Sequence, residues 1–338
     1  MASKASAASS GKWQALKPGD LIDVVSPGFR PLDEEVEAGV RFLEGWGLRA
    51  RLPKDLFGPD VISSNTDEKR FRHLAKALTA KDSRGVWCLR GGYGSIRLVP
   101  GLLKLRKPAR SKVLIGYSDI TTIQLFLRKK WGWCSLHASL LDRLGRTVDA
   151  SLVTESKPLP VAAQVEELHR VLFGDEPILT YEGLRPHGGR KLVARASAKQ
   201  GLIRGTMTGG NLVTFASAIG TGLHPKTAGQ IVFFEDIGER GYRIDRLLEQ
   251  MVQAGVLTDK TRAIVFGEFT GGFESDGSSR LSDVIERFAS TWGKKNDVPV
   301  LTGLASGHGV NQRALPIGTK AVLDMAAGAL MVESGVSK

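Results

Sequence analysis

The sequence has few of the residues that build disulfide-rich or metal-dependent proteins. Only two of its 338 residues are cysteines, Cys88 and Cys134, and they are too far apart to form a CxxC pair. No disulfide framework is therefore expected, and no oxidising compartment is needed. The six histidines show no metal-ligand spacing, and the absence of an HExxH motif argues against a zinc peptidase. We expect no metal and no other cofactor.

Long apolar runs are also lacking, because none approaches the roughly 18 residues that a membrane helix needs. The first dozen residues are small and polar and contain no apolar segment typical of a secretory signal. We therefore predict a disordered tail over residues 1–15, a cytoplasmic protein and no membrane partner.

Acidic residues are outnumbered by basic ones, with 47 Lys and Arg against 35 Asp and Glu, for a net charge of +12. Such a balance suits nucleic acid, anionic lipid or an acidic small substrate, and it also serves solubility alone. The densest basic run, residues 104–112, contains a proline and no interleaved aromatics. It predicts a solvated loop, so we expect no nucleic-acid partner.

Apolar runs that favour β-strands alternate with amphipathic helical segments along most of the chain. The predicted strands are 21–25, 86–89, 113–115, 231–234, 263–266 and 300–301. The predicted helices are 33–46, 67–79, 120–130, 165–173, 243–253 and 281–292. This alternation predicts an α/β fold with a parallel sheet covered by helices. The proline-rich stretch 156–205 predicts a connector between an N-terminal domain, 16–155, and a C-terminal domain, 206–338.

Ser118 lies between a predicted strand and a predicted helix, in the run Gly116-Tyr117-Ser118-Asp119. A serine at such a turn is close to the free N–H groups of a helix N-terminus, which suits a nucleophile whose oxyanion needs donors. The alternative is an ordinary serine that caps the helix. Because Ile120 replaces the second glycine of GxSxG, the chain is not an ordinary α/β-hydrolase.

A serine nucleophile needs a base, and His308 follows a predicted strand between two glycines. The flanking glycines predict an exposed imidazole, which a carboxylate would orient. Glu235 and Asp236 end the strand 231–234, and Glu268 follows the strand 263–266, so three carboxylates compete for this role. A carboxylate next to four apolar residues is costly unless it is paired.

The run Arg90-Gly91-Gly92-Tyr93-Gly94 predicts a loop whose backbone approaches a ligand, with Tyr93 projecting into the site. It lacks both the GxGxxG spacing and the Gly-Lys-Ser/Thr ending of phosphate loops. A plain turn is the alternative. Arg90 is placed to meet a substrate carboxylate, or else to form a structural ion pair.

Taken in order, five short motifs resemble the LD-carboxypeptidase family of serine peptidases, which includes the microcin C immunity peptidases. They are Arg90-Gly91-Gly92-Tyr93-Gly94, Gly116-Tyr117-Ser118-Asp119, Gly209-Gly210-Asn211-Leu212, Glu235-Asp236 and Gly307-His308. The resemblance runs from about residue 19 to residue 323. It implies a flavodoxin-like N-terminal half and a smaller, β-rich C-terminal half, with the site between them.

The resemblance also implies a Ser–His–Glu triad, with Ser118 as nucleophile, His308 as general base and Glu235 as the carboxylate that orients it. It implies an oxyanion hole made by the backbone N–H of Asp119 and one from Gly91 or Gly92, of which we favour Gly92. We expect the substrate-binding residues to be Arg90, Tyr93 and Asn211. A homodimer is implied as well.

The implied substrate is a muropeptide, from which the enzyme releases terminal D-Ala in peptidoglycan recycling. One departure is that His137-Ala138-Ser139 stands where the family often has His-Gly-Pro, which predicts a differently shaped loop. The alternatives are a microcin-immunity-type peptidase acting on aminoacyl-nucleotide conjugates, a non-catalytic ligand-binding module and a metal-dependent peptidase.

Overall fold

The computed structural model describes residues 11–144, 161–188 and 201–337, which form two β-sheets flanked by helices. The strands are β1 Leu21–Val25, β2 Arg49–Arg51, β3 Gly85–Cys88, β4 Val113–Gly116, β5 Ser135–His137, β6 Ile178–Tyr181, β7 Arg185–Pro186, β8 Leu202–Asn211, β9 Gln230–Ile237, β10 Ala263–Thr270, β11 Val300–Thr302, β12 Leu315–Ile317, β13 Lys320–Asp324 and β14 Ala329–Glu333. The helices are α1 Asp33–Gly45, α2 Asp67–Thr79, α3 Ser95–Leu102, α4 Thr121–Phe126, α5 Leu141–Leu144, α6 Val161–Phe173, α7 Leu212–Ser217, α8 Gly241–Gln253, α9 Leu281–Phe288 and α10 Lys294–Asn296. A 3₁₀ turn, Ser118–Ile120, leads into α4, and π-helical turns follow α4 and α9.

The first sheet has the order β12-β5-β4-β3-β1-β2, and its five N-terminal strands are parallel. Strands β3 and β4 are buried along their whole length. This is why they appear in the sequence as continuous apolar runs rather than alternating ones. The strand order confirms the predicted flavodoxin-like half.

The second sheet has the order β6-β14-β13-β8-β9-β10-β11-β7. Its centre, from β8 to β11, is parallel, and the outer strands pair antiparallel. The predicted β-rich α/β half is confirmed. Because β9 and β10 are parallel neighbours, the residues at their carboxyl ends are brought to one edge of the sheet.

The two halves share their hydrophobic core. Leu136 of the first sheet belongs to the same buried cluster as Phe233 of the second, and Leu114 belongs to the same cluster as Phe234. Strand β12, from the C-terminal part of the chain, pairs antiparallel with β5 and completes the first sheet. The halves therefore pack as one body, with the Ser118 turn facing the second sheet.

Two predicted segments differ from their expected form. The described parts of the predicted connector contribute α6, β6 and β7, and the last two are strands of the second sheet. In the predicted tail, residues 1–10 lie outside the described residues, whereas Trp13 is fully buried and bonds to the backbone of Gly335. Short strands and helices with mixed composition, such as β2 and α3, escaped the sequence analysis because their periodicity is weak.

Candidate active site

Ser118 lies on a sharp turn between β4 and α4, as the sequence predicts. Its backbone has φ = 63°, a left-handed conformation that a non-glycine residue rarely adopts. Such a conformation costs on the order of 1–3 kcal/mol and persists only where the surroundings impose it. The turn holds the half-buried Ser118 side chain at the carboxyl end of β4, the strand–turn–helix arrangement that presents a nucleophile.

Glu235 and His308 form a buried pair. Glu235 lies in β9, and His308 Nδ1 donates a hydrogen bond of 2.5 Å to Glu235 Oε2. The predicted exposure of His308 is wrong, since only 5% of the residue is accessible and Glu235 is fully buried. Gly307 has φ = 139°, and a Cβ there would lie 2.8 Å from the Cβ of Glu235, so only glycine allows this approach.

The other two candidate carboxylates have different partners. Glu268 accepts hydrogen bonds from the backbone and side-chain nitrogens of Asn311, at 3.0 and 2.7 Å. Asp236 accepts from the side chain of Asn211 and from the backbone of Val213, both at 2.9 Å. Burial, and then the neighbouring Glu235 charge, raise the pKa of Asp236 to about 6. Of the three carboxylates, Glu235 is the one bonded to His308.

Asn211 connects the end of β8 to the nucleophile helix. Its side chain caps α7 by accepting from the backbone N–H of Thr214 at 3.1 Å, while its amide nitrogen donates to Asp236. Its backbone N–H donates to Thr121 Oγ1 at 3.0 Å. The side chain of Asn211 thus already has bonds within the protein at both its oxygen and its nitrogen. The predicted role of Asn211 in substrate binding stays a prediction.

The glycine loop after β3 lies against the Ser118 turn. A Cβ added to Gly91 would lie 3.2 Å from Ser118 Oγ, so the loop backbone passes directly beside the hydroxyl. Gly92 follows on the exposed side. The Asp119 carboxylate, whose pKa is raised by burial, accepts from the backbone N–H of Ser95 at 2.9 Å and joins the two segments. The oxyanion role of the Gly92 and Asp119 N–H groups stays a prediction.

Arg90 and Tyr93 lie on the outer side of this loop. Arg90 Nη1 is 3.1 Å from Glu35 Oε2 and 3.5 Å from Asp142 Oδ2, so the structural ion pair weighed above is present. Arg90 also borders an open cavity of about 550 Å³ beside Phe29. Tyr93 is 43% exposed. The assignment of both residues to substrate binding is a prediction that these contacts do not test.

His137 is a residue of this region whose place the sequence analysis did not find. It is fully buried, with Nε2 3.9 Å from Glu235 Oε1. The ring of Tyr117 packs against both histidines, with centroid distances of 5.7 Å to His137 and 4.6 Å to His308. The signal was available: His137 ends β5, next to β4 in a parallel sheet, and such ends collect site residues.

The described residues offer neither a metal site nor a membrane span. Among residues 11–144, 161–188 and 201–337, no group of three or more His, Cys, Asp or Glu side chains is arranged to hold a metal ion. In the same residues, each helix is too short or too polar to cross a bilayer.

The sequence matches two family profiles in succession. The LD-carboxypeptidase N-terminal domain matches residues 22–138, and the LD-carboxypeptidase C-terminal domain matches residues 204–323. The chain belongs to the LD-carboxypeptidase family. The predicted family is thereby confirmed, and with it a peptidase of the carboxypeptidase class.

Several named relatives match this chain over most of its length. The murein tetrapeptide carboxypeptidase of Pseudomonas aeruginosa is 31% identical over 92% of this chain and 95% of its own length. The microcin C7 self-immunity protein MccF of Escherichia coli is 27% identical over 85% and 84%. A relative from Rickettsia conorii is 38% identical over 85% and 82%.

Solved structures agree on the fold. The muramoyltetrapeptide carboxypeptidase from Oxalobacter formigenes superimposes with a TM-score of 0.72 at 26% identity, covering 92% of this chain and 97% of that one. MccF in complex with glutamyl sulfamoyl guanosine superimposes with a TM-score of 0.76 at 21% identity, over 95% and 98% of the two chains, which shows the fold alone.

Proposed function

We propose that this protein is a serine LD-carboxypeptidase that releases terminal D-Ala from murein tetrapeptides in peptidoglycan recycling. The observation that carries the proposal is the 2.5 Å hydrogen bond between buried His308 and Glu235, with the His308 ring 4.6 Å from the ring of Tyr117, the residue before Ser118. The relative named murein tetrapeptide carboxypeptidase, which matches over 92% of the chain, supports the choice of substrate.

In the proposed mechanism, Ser118 Oγ attacks the carbonyl carbon of the peptide bond that precedes D-Ala. His308 Nδ1 is bonded to Glu235, which leaves Nε2 to take the hydroxyl proton. The oxyanion is stabilised by the backbone N–H groups of Gly92 and Asp119, and one such donor typically contributes about 2.7–4 kcal/mol. His308 then protonates the leaving amine, and water hydrolyses the acyl-enzyme with His308 again as base.

Arg90, Tyr93 and Asn211 remain the proposed substrate-binding residues. Any substrate carboxylate that reaches Arg90 has to compete with Glu35 and Asp142, which already neutralise its guanidinium. The net charge of +12 favours an acidic muropeptide without selecting one.

The experiment that tests this function incubates the purified chain with a murein tetrapeptide and measures the release of D-Ala by mass spectrometry. We expect release by the wild type, none by Ser118→Ala and unchanged release by Ser290→Ala, which alters an exposed serine after α9. Chelator should have no effect. Failure of the wild type to release D-Ala under varied conditions would exclude the proposed substrate.

A microcin-immunity-type activity is the second candidate, because MccF is a relative over 85% of the chain. An aromatic platform for a nucleobase would favour it, yet Trp87, Trp131 and Trp133 are all buried. Aminoacyl sulfamoyl nucleosides serve as competing substrates in the same assay. If neither class is cleaved and Ser118→Ala binds every ligand as the wild type does, a non-catalytic binding module is favoured.

The homodimer, which the family resemblance implies, and the cytoplasmic location are proposals too. Light scattering of the purified chain and fractionation of the producing cell measure them directly.

A further inference from the structure

Glu235 carries a second carboxylate oxygen that the Ser–His–Glu arrangement does not use. Oε2 is bonded to His308, whereas Oε1 is buried and has no hydrogen-bond partner among the described residues. A buried carboxylate oxygen without a donor is unfavourable, because the ion has lost its water without compensation. A donor aimed at Oε1 would therefore stabilise the Glu235 carboxylate.

His137 is the polar side chain that faces this oxygen. Its Nε2 lies 3.9 Å from Glu235 Oε1, and within the described residues neither of its ring nitrogens has a hydrogen-bond partner. Burial lowers the pKa of His137 to about 4, so the ring is neutral at physiological pH and carries one N–H. The edges of Tyr117 and Phe233 contact the ring and hold it in the sheet interior.

We propose that His137 is a positioning residue for the Glu235 carboxylate, with its ring directing the Nε2–H toward Glu235 Oε1. This inference rests on the proposed function, because it assigns Glu235 its orienting role. An N–H aimed at a carboxylate stabilises the anion, and the effect is large in a water-free interior. An ionised Glu235 accepts from His308 Nδ1–H and so keeps Nε2 free as the base.

Other charged groups around the pair do not supply this stabilisation. Asp236, the next residue in β9, has its carboxylate bonded to Asn211 and Val213, and its proximity to Glu235 is repulsive. Arg143 lies 6.0 Å from the Tyr117 ring, and Arg143 and Asp142 act on Tyr117 with opposite charges.

The test is a double-mutant cycle between positions 137 and 235, followed as kcat against pH. His137→Leu removes the donor from the Glu235 carboxylate and should move the acid limb of the profile to higher pH. KM and the value of kcat on the alkaline plateau should stay within about threefold of wild type, because both proteins have the same protonation state at that pH. His137→Gln retains an N–H and should restore part of the shift. In a Glu235→Gln background, His137→Leu should cost less than about twofold, because the charge it serves is gone.

Two outcomes would overturn the proposal. One is an equal loss of kcat at every pH, with the same factor in the Glu235→Gln background, which indicates packing alone. The other comes from nitrogen NMR of the histidine rings, which needs neither a folded variant nor turnover. The wild type should show His137 neutral, with its proton on Nε2, between pH 5 and 8. A proton on Nδ1 would refute the inference. Because this readout does not depend on the substrate, it stays separate from a failure of the proposed function.

Discussion

The Ser118 turn and the Glu235–His308 pair are held by different forces. Ser118 lies on the turn that follows β4 of the first sheet, is half-buried, and has a strained backbone set by residues close in sequence. Glu235 lies in β9 of the second sheet and His308 in a loop 73 positions later, and the two are held by burial and by each other. Local sterics therefore place the hydroxyl, whereas tertiary packing places the base. Substitutions in the two regions should accordingly have different effects on kcat and on the free energy of unfolding.

The largest effect is expected at the strained turn. Ser118→Gly and Ser118→Ala should both lower kcat by about 10⁶-fold, the loss typical of removing a serine-peptidase nucleophile. Glycine also relieves the φ of 63°, so Ser118→Gly should be more stable than Ser118→Ala by about 1 kcal/mol. Turnover and urea unfolding measure the two effects. A glycine variant less stable than the alanine variant would show that the turn is not strained.

The next effect is on the buried pair. Glu235→Gln should lower kcat by about 10⁴-fold with little change in KM, because the amide no longer stabilises the His308 cation. Glu268→Gln is the matched control, since this buried carboxylate lies on the neighbouring strand and bonds to Asn311 instead. Glu268→Gln should lower the free energy of unfolding, and it should lower kcat by less than tenfold. Similar kinetic losses in both variants would mean that Glu235 has no special role.

A smaller effect is expected where the chain approaches the pair most closely. An alanine Cβ at Gly307 would lie 2.6 Å from the carbonyl oxygen of Glu268, in a left-handed backbone. Gly307→Ala should therefore cost about 2–3 kcal/mol of unfolding free energy and tenfold or more in kcat. Gly277→Ala is the control, because its φ is 81° but the added Cβ meets open space. Gly277→Ala should lower the free energy of unfolding and leave kcat unchanged. Equal kinetics in the two variants would contradict the close approach.

The smallest effect is a pH dependence of stability that arises from Asp236. Burial raises its pKa to about 6, against about 3.9 in an unfolded chain, so the folded state binds more protons between these values. The free energy of unfolding should therefore fall as pH rises from about 4 to 6, by about 1–2 kcal/mol from this group. Denaturant titrations at several pH values measure it, and Asp236→Asn should flatten the slope. An unchanged slope in that variant would assign it to other groups, such as Asp142, whose pKa burial also raises to about 6.

Much of the fold was predictable because buried parallel strands leave a strong signal. The helix 67–79 and the strand 21–25 have the predicted bounds. Strands β6 and β7, within the predicted connector, were not predicted because they are short and their hydrogen bonds go to strands far away in sequence. The place of β12 in the first sheet was not predicted either, because its partner strand β5 is far away in sequence.

For the candidate site, the sequence predicted the types of residue better than their surroundings. It placed Ser118 on a turn after a strand, and the structure shows that turn. It expected His308 to be exposed, because glycines on both sides suggest a loop, yet the loop is covered by the packed halves. His137 was noted only as part of a loop, since a histidine in an apolar stretch carries no indication of what it faces.

The sequence by itself determined the family, through five motifs in order, and also the alternation of strands and helices and the turn at Ser118, which depend on neighbours within a few residues. The resemblance implied Glu235, but only the tertiary structure decided that this carboxylate, rather than Asp236 or Glu268, bonds to His308, and that His137 faces its other oxygen. Three carboxylates at adjacent strand ends are chemically alike. The direction in which the pleat turns each side chain, and the donors that it meets there, distinguish them.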